Sequence, residues 1–443
     1  MGEMLWRGGG AGGVTPMQGV LLFVVLKFLF TSWLETRQLR ELKKRTAPKE
    51  LKHLVTKKEF SATREYGLDK WHFGFLAATV DVAENIAFLA WGGLAYFWSL
   101  SGDLGAYVPA YKWFDGEVRQ AVVFTVIYGV ATTIMDQPFV LYDTFVIEQK
   151  HGFNRKTFKI YLADLVKSLG LMVVLAPPFV TSIVVILRNT GPHVALYLWV
   201  FLLAFNLFIM TVYPTVIAPM FNKYEPLAEG ALKTKIEALA RGLDFPLQKL
   251  FVVDASTRSS HSNAYMYGFF KNKRIVIYDT LISQCTEEEI VAILAHELGH
   301  WKRRHTPILF ASSMTVLLLQ LTCYTYVSSW GGLFESFGFS GSKPAFIGMV
   351  LFSIVIGPVD VVIGFLSNVL SRVFEYQADR FAVDQGYAKQ LKSGLIKLHK
   401  ENKSDYNIDH LYSAFHFSHP SLIERIKHID RLGAEAASLA KED

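Results

Sequence analysis

The sequence predicts a mainly α-helical, polytopic membrane protein with seven transmembrane helices and a small strand-containing segment between the fifth and sixth. Three observations carry this. The 443 residues are 51% hydrophobic with a mean hydropathy of +0.26, more apolar than an ordinary soluble domain. Several uncharged runs reach the roughly 20 residues that cross a bilayer as helix. The basic residues cluster in the segments between those runs.

The apolar runs place spans at about 17–37, 74–100, 120–146, 166–188, 193–219, 307–329 and 345–370. Residues 1–16 read as a flexible glycine-rich leader: there is no signal-peptide core or cleavage site, and Trp6 stands where myristoylation wants Ser or Thr. The C-terminal AKED is neither a prenylation box nor a retrieval signal. Residues 37–64 hold ten Lys or Arg, the 101–119 loop only Lys112 and Arg119, and the stretch EQKHGFNRKTFK is basic again. The positive-inside rule then puts the N-terminus on the lumenal or outer side, with 220–306 and everything after 371 in the cytosol. The net charge of +6 is thus a topology signal, and no nucleic-acid partner is expected. Cys285 and Cys323 are the only cysteines, too few for a disulfide framework or a thiolate zinc site.

Asp81, Glu84 and Asn85 fall on one face of the second span, and Asp136, Asp143 and Asp360 lie within or near others. Ionisable groups rarely face lipid, so two readings stand: hydrogen bonds between helices, or a hydrated interior. Prolines in VLAPPFV, VYPTVIAP and IGPVD are expected to kink helices around such a space.

Between spans five and six, KLFVVDAS, SNAYMYGFF and RIVIYDTLI, the last two joined by a KNK turn, read as strands within 249–281. Thr286 and Glu289 form a capping box opening a helix over 287–305. On it His296 and His300 are i and i+4, pointing one way, with Glu297 beside the first. This H-E-x-x-H spacing suits Zn²⁺ with an open position for water, whose proton Glu297 can take. Alone the motif is weak, since two histidines and a glutamate can share a solvated helix face. A second cluster strengthens it. Glu375 and Asp379 in SRVFEYQADRFA are also i, i+4, on the helix expected after the seventh span. Glu375 supplies a third ligand and Asp379 an acceptor for a ligand imidazole; the rival reading is an acidic pair bridged to Arg372 or Arg380. In FHFSHPSLIER, Pro420 and the Ser421/Glu424 pair announce a helix, and His419 and Arg425 flank its start, where they can stabilise an oxyanion. His410 and His416 are read as having no catalytic role.

HSNAYMYGF, HELGHW, FEYQAD and HFSHPSLIER, in this order with seven spans, resemble the type I CAAX prenyl endopeptidase family, and HGFNRKTF resembles a further family segment. The resemblance covers nearly the whole chain. It implies transmembrane helices enclosing a chamber and a gluzincin-like zinc metalloprotease domain with a small β-sheet. It implies one Zn²⁺ per chain held by His296, His300 and Glu375, with Glu297 as general base. His419 and Arg425 would contact the reacting carbonyl, with Asp379 in support, and the strand at Asn263, Ala264 and Tyr265 would hold substrate backbone. The implied substrates are prenylated CaaX proteins, cut to release the last three residues by a monomeric enzyme of the endoplasmic reticulum membrane. The organisation expected is leader 1–16, helices 17–219, a first protease part 220–306, helices 307–370 and a second protease part 371–443. The rivals are a quality-control membrane zinc protease with no prenyl requirement, and a transporter or scaffold with a structural metal.

Overall fold

The computed structural model describes residues 13–109, 114, 116–268 and 272–442; most of the leader and the start of the KNK turn lie outside them. The helices in chain order are α1 (Pro16–Leu42), α2 (Lys57–Trp91), α3 (Gly93–Gly105), α4 (Gly116–Tyr142), α5 (Phe158–Asn189), α6 (Val194–Val212), α7 (Ala231–Gly242), α8 (Asp279–Gln284), α9 (Glu287–Lys302), α10 (His305–Val327), α11 (Gly331–Ser336), α12 (Ala345–Val355), α13 (Gly357–Asp384), α14 (Ala388–Glu401), α15 (His410–His416) and α16 (Leu422–Glu442). The strands are β1 (Tyr224–Pro226), β2 (Leu247–Val253), β3 (Ala264–Tyr267) and β4 (Lys273–Tyr278).

Among the described residues, seven helical stretches are long and apolar enough to span a membrane, and each overlaps one expected from the sequence. Two differ in shape. The second ends at Trp91 rather than continuing to 100, because Gly92 takes a left-handed conformation (φ +82°) and closes the helix before α3 begins. The hydropathy of GGLAYFW hides that turn. The seventh is not one helix over 345–370: the chain breaks at Ile356, and Pro358 in the first turn of α13, where its missing N–H costs nothing, starts a new helix. That helix runs unbroken to Asp384, so Glu375 and Asp379 sit on the continuation of a membrane helix rather than on a separate one after it.

The spans form a circuit. α1 packs on α2, α2 on α3, then α3 on α4, α4 on α5, α5 on α6 and α6 on α10; α9, α13 and α15 close the ring back to α1. A solid bundle would bury one face of every helix. Here only 6–22% of each span's most apolar window is buried, and Asp81, Glu84 and Asn85 are exposed on the last third of α2. The helices therefore surround a space rather than fill it. One end is plugged by an apolar cluster in which Leu333, Phe334, Phe337 and Ile347 from α11, α12 and the turn between them meet Trp98, Phe124 and Val184 from α3, α4 and α5. The other end carries the strand-containing domain.

That domain is tied to the helices by its own core. α2 is roughly 52 Å long at 1.5 Å per residue, well beyond a hydrocarbon thickness of about 30 Å. Its polar first half stands out of the span, where Leu51, Val55 and Phe60 pack on Tyr406, Leu422 and Ile426. Arg37 at the end of α1 grips the Asp409 carboxylate through Nε and Nη2 at 3.0 and 2.8 Å. The sheet order is β1-β2-β4-β3, with β2 and β4 parallel and the other pairs antiparallel. β1 is too short to leave a periodic signal in the sequence. The sheet, α7, α14 and α16 pack around α9, ten of whose 16 residues are buried.

Candidate metal centre and active site

The site is built on two helices, each joined to a membrane span. α9 starts at the Thr286–Glu289 capping box, where Thr286 N donates to Glu289 Oε2 at 2.9 Å and Glu289 N to Thr286 Oγ1 at 3.3 Å. It ends only two residues before α10. α13 crosses α9 at Gly299, where a Cβ would lie 3.0 Å from the Phe381 Cβ. The glycine between the two histidines thus permits the close approach that brings α13 to them.

At that crossing His296, His300 and Glu375 converge. Nε2 of His300 lies 3.2 Å from Nε2 of His296 and 3.2 Å from Glu375 Oε1, and His296 Nε2 lies 3.5 Å from Glu375 Oε2. Three ligand atoms in tetrahedral disposition about a zinc ion, at about 2.0–2.1 Å each, would be about 3.3 Å apart. The spacing is that of a ligand set. Glu375 is buried, and its Oε2 receives no hydrogen bond of good geometry although His419 Nδ1 is 3.0 Å and Arg425 Nη1 3.4 Å away. A buried carboxylate oxygen short of a donor beside two imidazole nitrogens fits a cation.

The surroundings orient the ligands. Fully buried Asp379 accepts from His296 Nδ1 at 2.9 Å, which turns Nε2 toward Glu375. Arg425 also holds Asp379, through Nε to Oδ2 at 3.0 Å and Nη2 to Oδ1 at 2.5 Å, a bidentate pair that neutralises the buried charge. Burial and the Arg425 charge push the His296 imidazole down, but the neighbouring Asp379 and Glu375 carboxylates outweigh them and raise it to about 9. A metal held at Nε2 would take the place of a proton there, so metal binding would be coupled to proton release. Arg372 pairs with Glu424 at 3.0 Å rather than with Glu375 or Asp379, so the reading as an Arg372-bridged acidic surface pair does not hold.

Glu297 is half-buried one residue round from His296, near enough for its charge to act on Arg425. His419 is two-thirds exposed, so it faces the open side of the site while Arg425 is enclosed. The Ser421–Glu424 capping pair is present, with Ser421 N donating to Glu424 Oε2 at 2.8 Å. β3 is one of the two edge strands of the sheet and packs against α9. Asn263, just ahead of it, accepts from Tyr278 N through its carbonyl at 3.1 Å.

Two supports of the site escape sequence reasoning. The HGFNRKTF loop straps the segment leading into β3: Ser260 N donates to Phe153 O at 3.2 Å, Arg155 N to Arg258 O at 3.2 Å, and the Phe153 and His261 rings stack at 4.2 Å. The family likeness of that loop was its only signal. Behind His300 stands His305, its Nδ1 2.9 Å from His300 Nδ1; it is visible in HELGHWKRRH only as one more histidine.

Comparisons with known proteins agree with this geometry. Residues 38–223 match a family model described as CAAX prenyl protease N-terminal, five membrane helices, and residues 226–432 match peptidase family M48. The chain is 48% identical over 417 residues to the CAAX prenyl protease 1 homolog of Arabidopsis thaliana, covering 94% of this chain and 97% of the relative. It is 37% identical over 450 residues to the Homo sapiens homolog, covering 92% and 94%. The crystal structure of S. mikatae Ste24p superposes with a TM-score of 0.89 at 33% identity, covering 94% of this chain and all of that one.

Proposed function

This chain belongs to the CAAX prenyl proteases of peptidase family M48, and from that premise we propose that it is a zinc endopeptidase that removes the C-terminal aaX tripeptide from prenylated CaaX proteins. The observation that carries the reading is the convergence of His296, His300 and Glu375 within 3.5 Å at the mouth of a ring of membrane helices. Bound there, zinc supplies the Lewis acidity that activates water and polarises the scissile carbonyl. Glu297 takes the proton of the attacking water and delivers it to the leaving amine. His419, on the open side, donates to the developing oxyanion, and Arg425 assists from behind while anchoring Asp379. Asp379 keeps His296 in the tautomer that presents Nε2. Substrate backbone adds to the free edge of β3 at Asn263, Ala264 and Tyr265, which sets the scissile bond over α9.

The space among the spans takes the prenyl chain. Each buried CH₂ contributes about 0.8 kcal/mol, so the chamber can hold the lipid while the peptide end reaches a wet, metal-bearing site. The loop charges favour a protease domain in the cytosol and an N-terminus on the opposite side, and the family resemblance supports placement in the endoplasmic reticulum membrane. One chain carries the whole ligand set, so a monomer suffices for the chemistry. Purified protein given farnesylated and unprenylated forms of one CaaX peptide should cleave the first with a kcat/KM at least about 100-fold higher. Equal rates would favour the quality-control protease without a prenyl requirement.

Asp81, Glu84 and Asn85 hydrate the chamber wall. Replacing all three with leucine should lower turnover of the farnesylated peptide roughly tenfold or more while zinc content stays at the wild-type level. Unchanged turnover would leave these groups with no part in the reaction.

A further inference from the structure

Just beyond the HExxH helix, the first residue of α10 is a further histidine, His305. His305 is 1% exposed, and its ring is held on three sides. Its Nδ1 is 2.9 Å from His300 Nδ1, its Nε2 is 2.9 Å from Gln377 Oε1, and its face stacks on Phe374 with centroids 4.1 Å apart and planes 1° from parallel. Phe374 and Gln377 flank Glu375 on α13. One imidazole therefore touches both helices that carry the candidate ligands.

The proton positions follow by elimination. His300 directs Nε2 toward His296 and Glu375, so as a neutral ligand it carries its hydrogen on Nδ1. Among the described residues the hydrogen-bonding partner of that nitrogen is His305 Nδ1, which must then accept. His305 carries its own hydrogen on Nε2 and donates it to Gln377 Oε1, which can only accept. The relay runs Gln377, His305, His300, with every hydrogen assigned and the free lone pair of His300 at the ligand-facing end.

The backbone is shaped for this. In an unbroken helix a residue five positions after His300 would point about 140° away from it. Arg304 adopts a left-handed conformation (φ +59°), strained for a residue with a side chain, and this turn folds His305 back behind His300. The two ligand histidines are thus supported unequally. His296 leans on a carboxylate, Asp379, while His300 leans on a neutral imidazole.

We propose that His305 is a positioning residue of the metal centre: held by Gln377 and Phe374, it fixes His300 in the tautomer and orientation that ligate, and registers His300 against Glu375. The proposal rests on the zinc reading above. Its test is the zinc dissociation constant of the purified, detergent-solubilised full chain, measured by chelator competition, with the thermal unfolding of the metal-free protein as a control. His305→Phe keeps the ring and its stack but removes both nitrogens; His305→Asn restores an acceptor close to where Nδ1 stood. The expected result is zinc binding weakened about 10- to 100-fold in His305→Phe and recovered to within about threefold of wild type in His305→Asn. Gln377→Met, one bond further from the ligand, should weaken it by a smaller factor, and it keeps the test decisive if His305→Phe unfolds. Wild-type zinc affinity in His305→Phe, or in Gln377→Met where the phenylalanine protein is unfolded, would overturn the proposal. So would equal weakening in His305→Phe and His305→Asn, because the acceptor would then be irrelevant. A wild-type chain that binds no zinc would overturn this and the zinc reading together, whereas zinc bound equally by wild type and His305→Phe would overturn this one alone.

Discussion

Glu297→Gln should lose peptide hydrolysis by roughly 10²- to 10⁴-fold while keeping its zinc, the range a positioned general base contributes. Glu297 follows His296 directly on α9 and is half-buried, with no place among the three converging atoms, which come from His296, His300 and Glu375. Glutamine has the same shape and can still accept and donate hydrogen bonds, so α9 and its core packing are preserved. What it cannot do is take a proton from water. The measurement is cleavage of a farnesylated CaaX peptide alongside metal analysis of the same preparations. Activity retained in Glu297→Gln would remove the general base from the mechanism. Hydrolysis absent from wild type and variant alike, with metal bound in both, would favour a scaffold with a structural ion.

Glu375→Gln should instead lose the metal. The buried carboxylate is the only anionic member of the ligand set, and a neutral amide is a poor zinc ligand. If the free energy of binding is shared among three protein ligands, removing one costs roughly 3–5 kcal/mol, or two to four decades of affinity. Chelator-washed protein should then carry well under one zinc per chain and show no detectable cleavage. The fold should survive, because the Arg425–Asp379 pair, with contacts at 3.0 and 2.5 Å, does not depend on Glu375. The two variants separate the roles: one keeps metal without chemistry, the other keeps fold without metal.

Much of this was legible in the sequence because the signals are periodic and local. The i, i+4 spacing puts His296 and His300 on one face of any helix that forms, and the Thr286–Glu289 box says where that helix starts. Apolar runs locate the spans. The positions where reading by pattern failed are those where a few residues outweigh an average: Gly92, whose left-handed turn ends α2 inside an apolar stretch, and Ile356–Gly357–Pro358, which splits the last apolar run in two. The three-residue strand β1 leaves no pattern at all. Within the site, the pairing of Glu375 with the two imidazoles depends on α9 and α13 crossing at Gly299, a contact between distant segments that no local signal encodes. The same holds for His305, whose meaning depends on one residue, Arg304, leaving the helical region of backbone space.

The central claim is that His296, His300 and Glu375, brought together by that crossing, hold one zinc ion. Anomalous diffraction from crystals of the purified chain, recorded above and below the zinc absorption edge, tests it most directly. The expected result is a single zinc peak within about 2.0–2.2 Å of both Nε2 atoms and of the Glu375 carboxylate. A zinc-replete crystal with no peak there, or with its ion bound elsewhere and Glu375 turned away from the imidazoles, would contradict it.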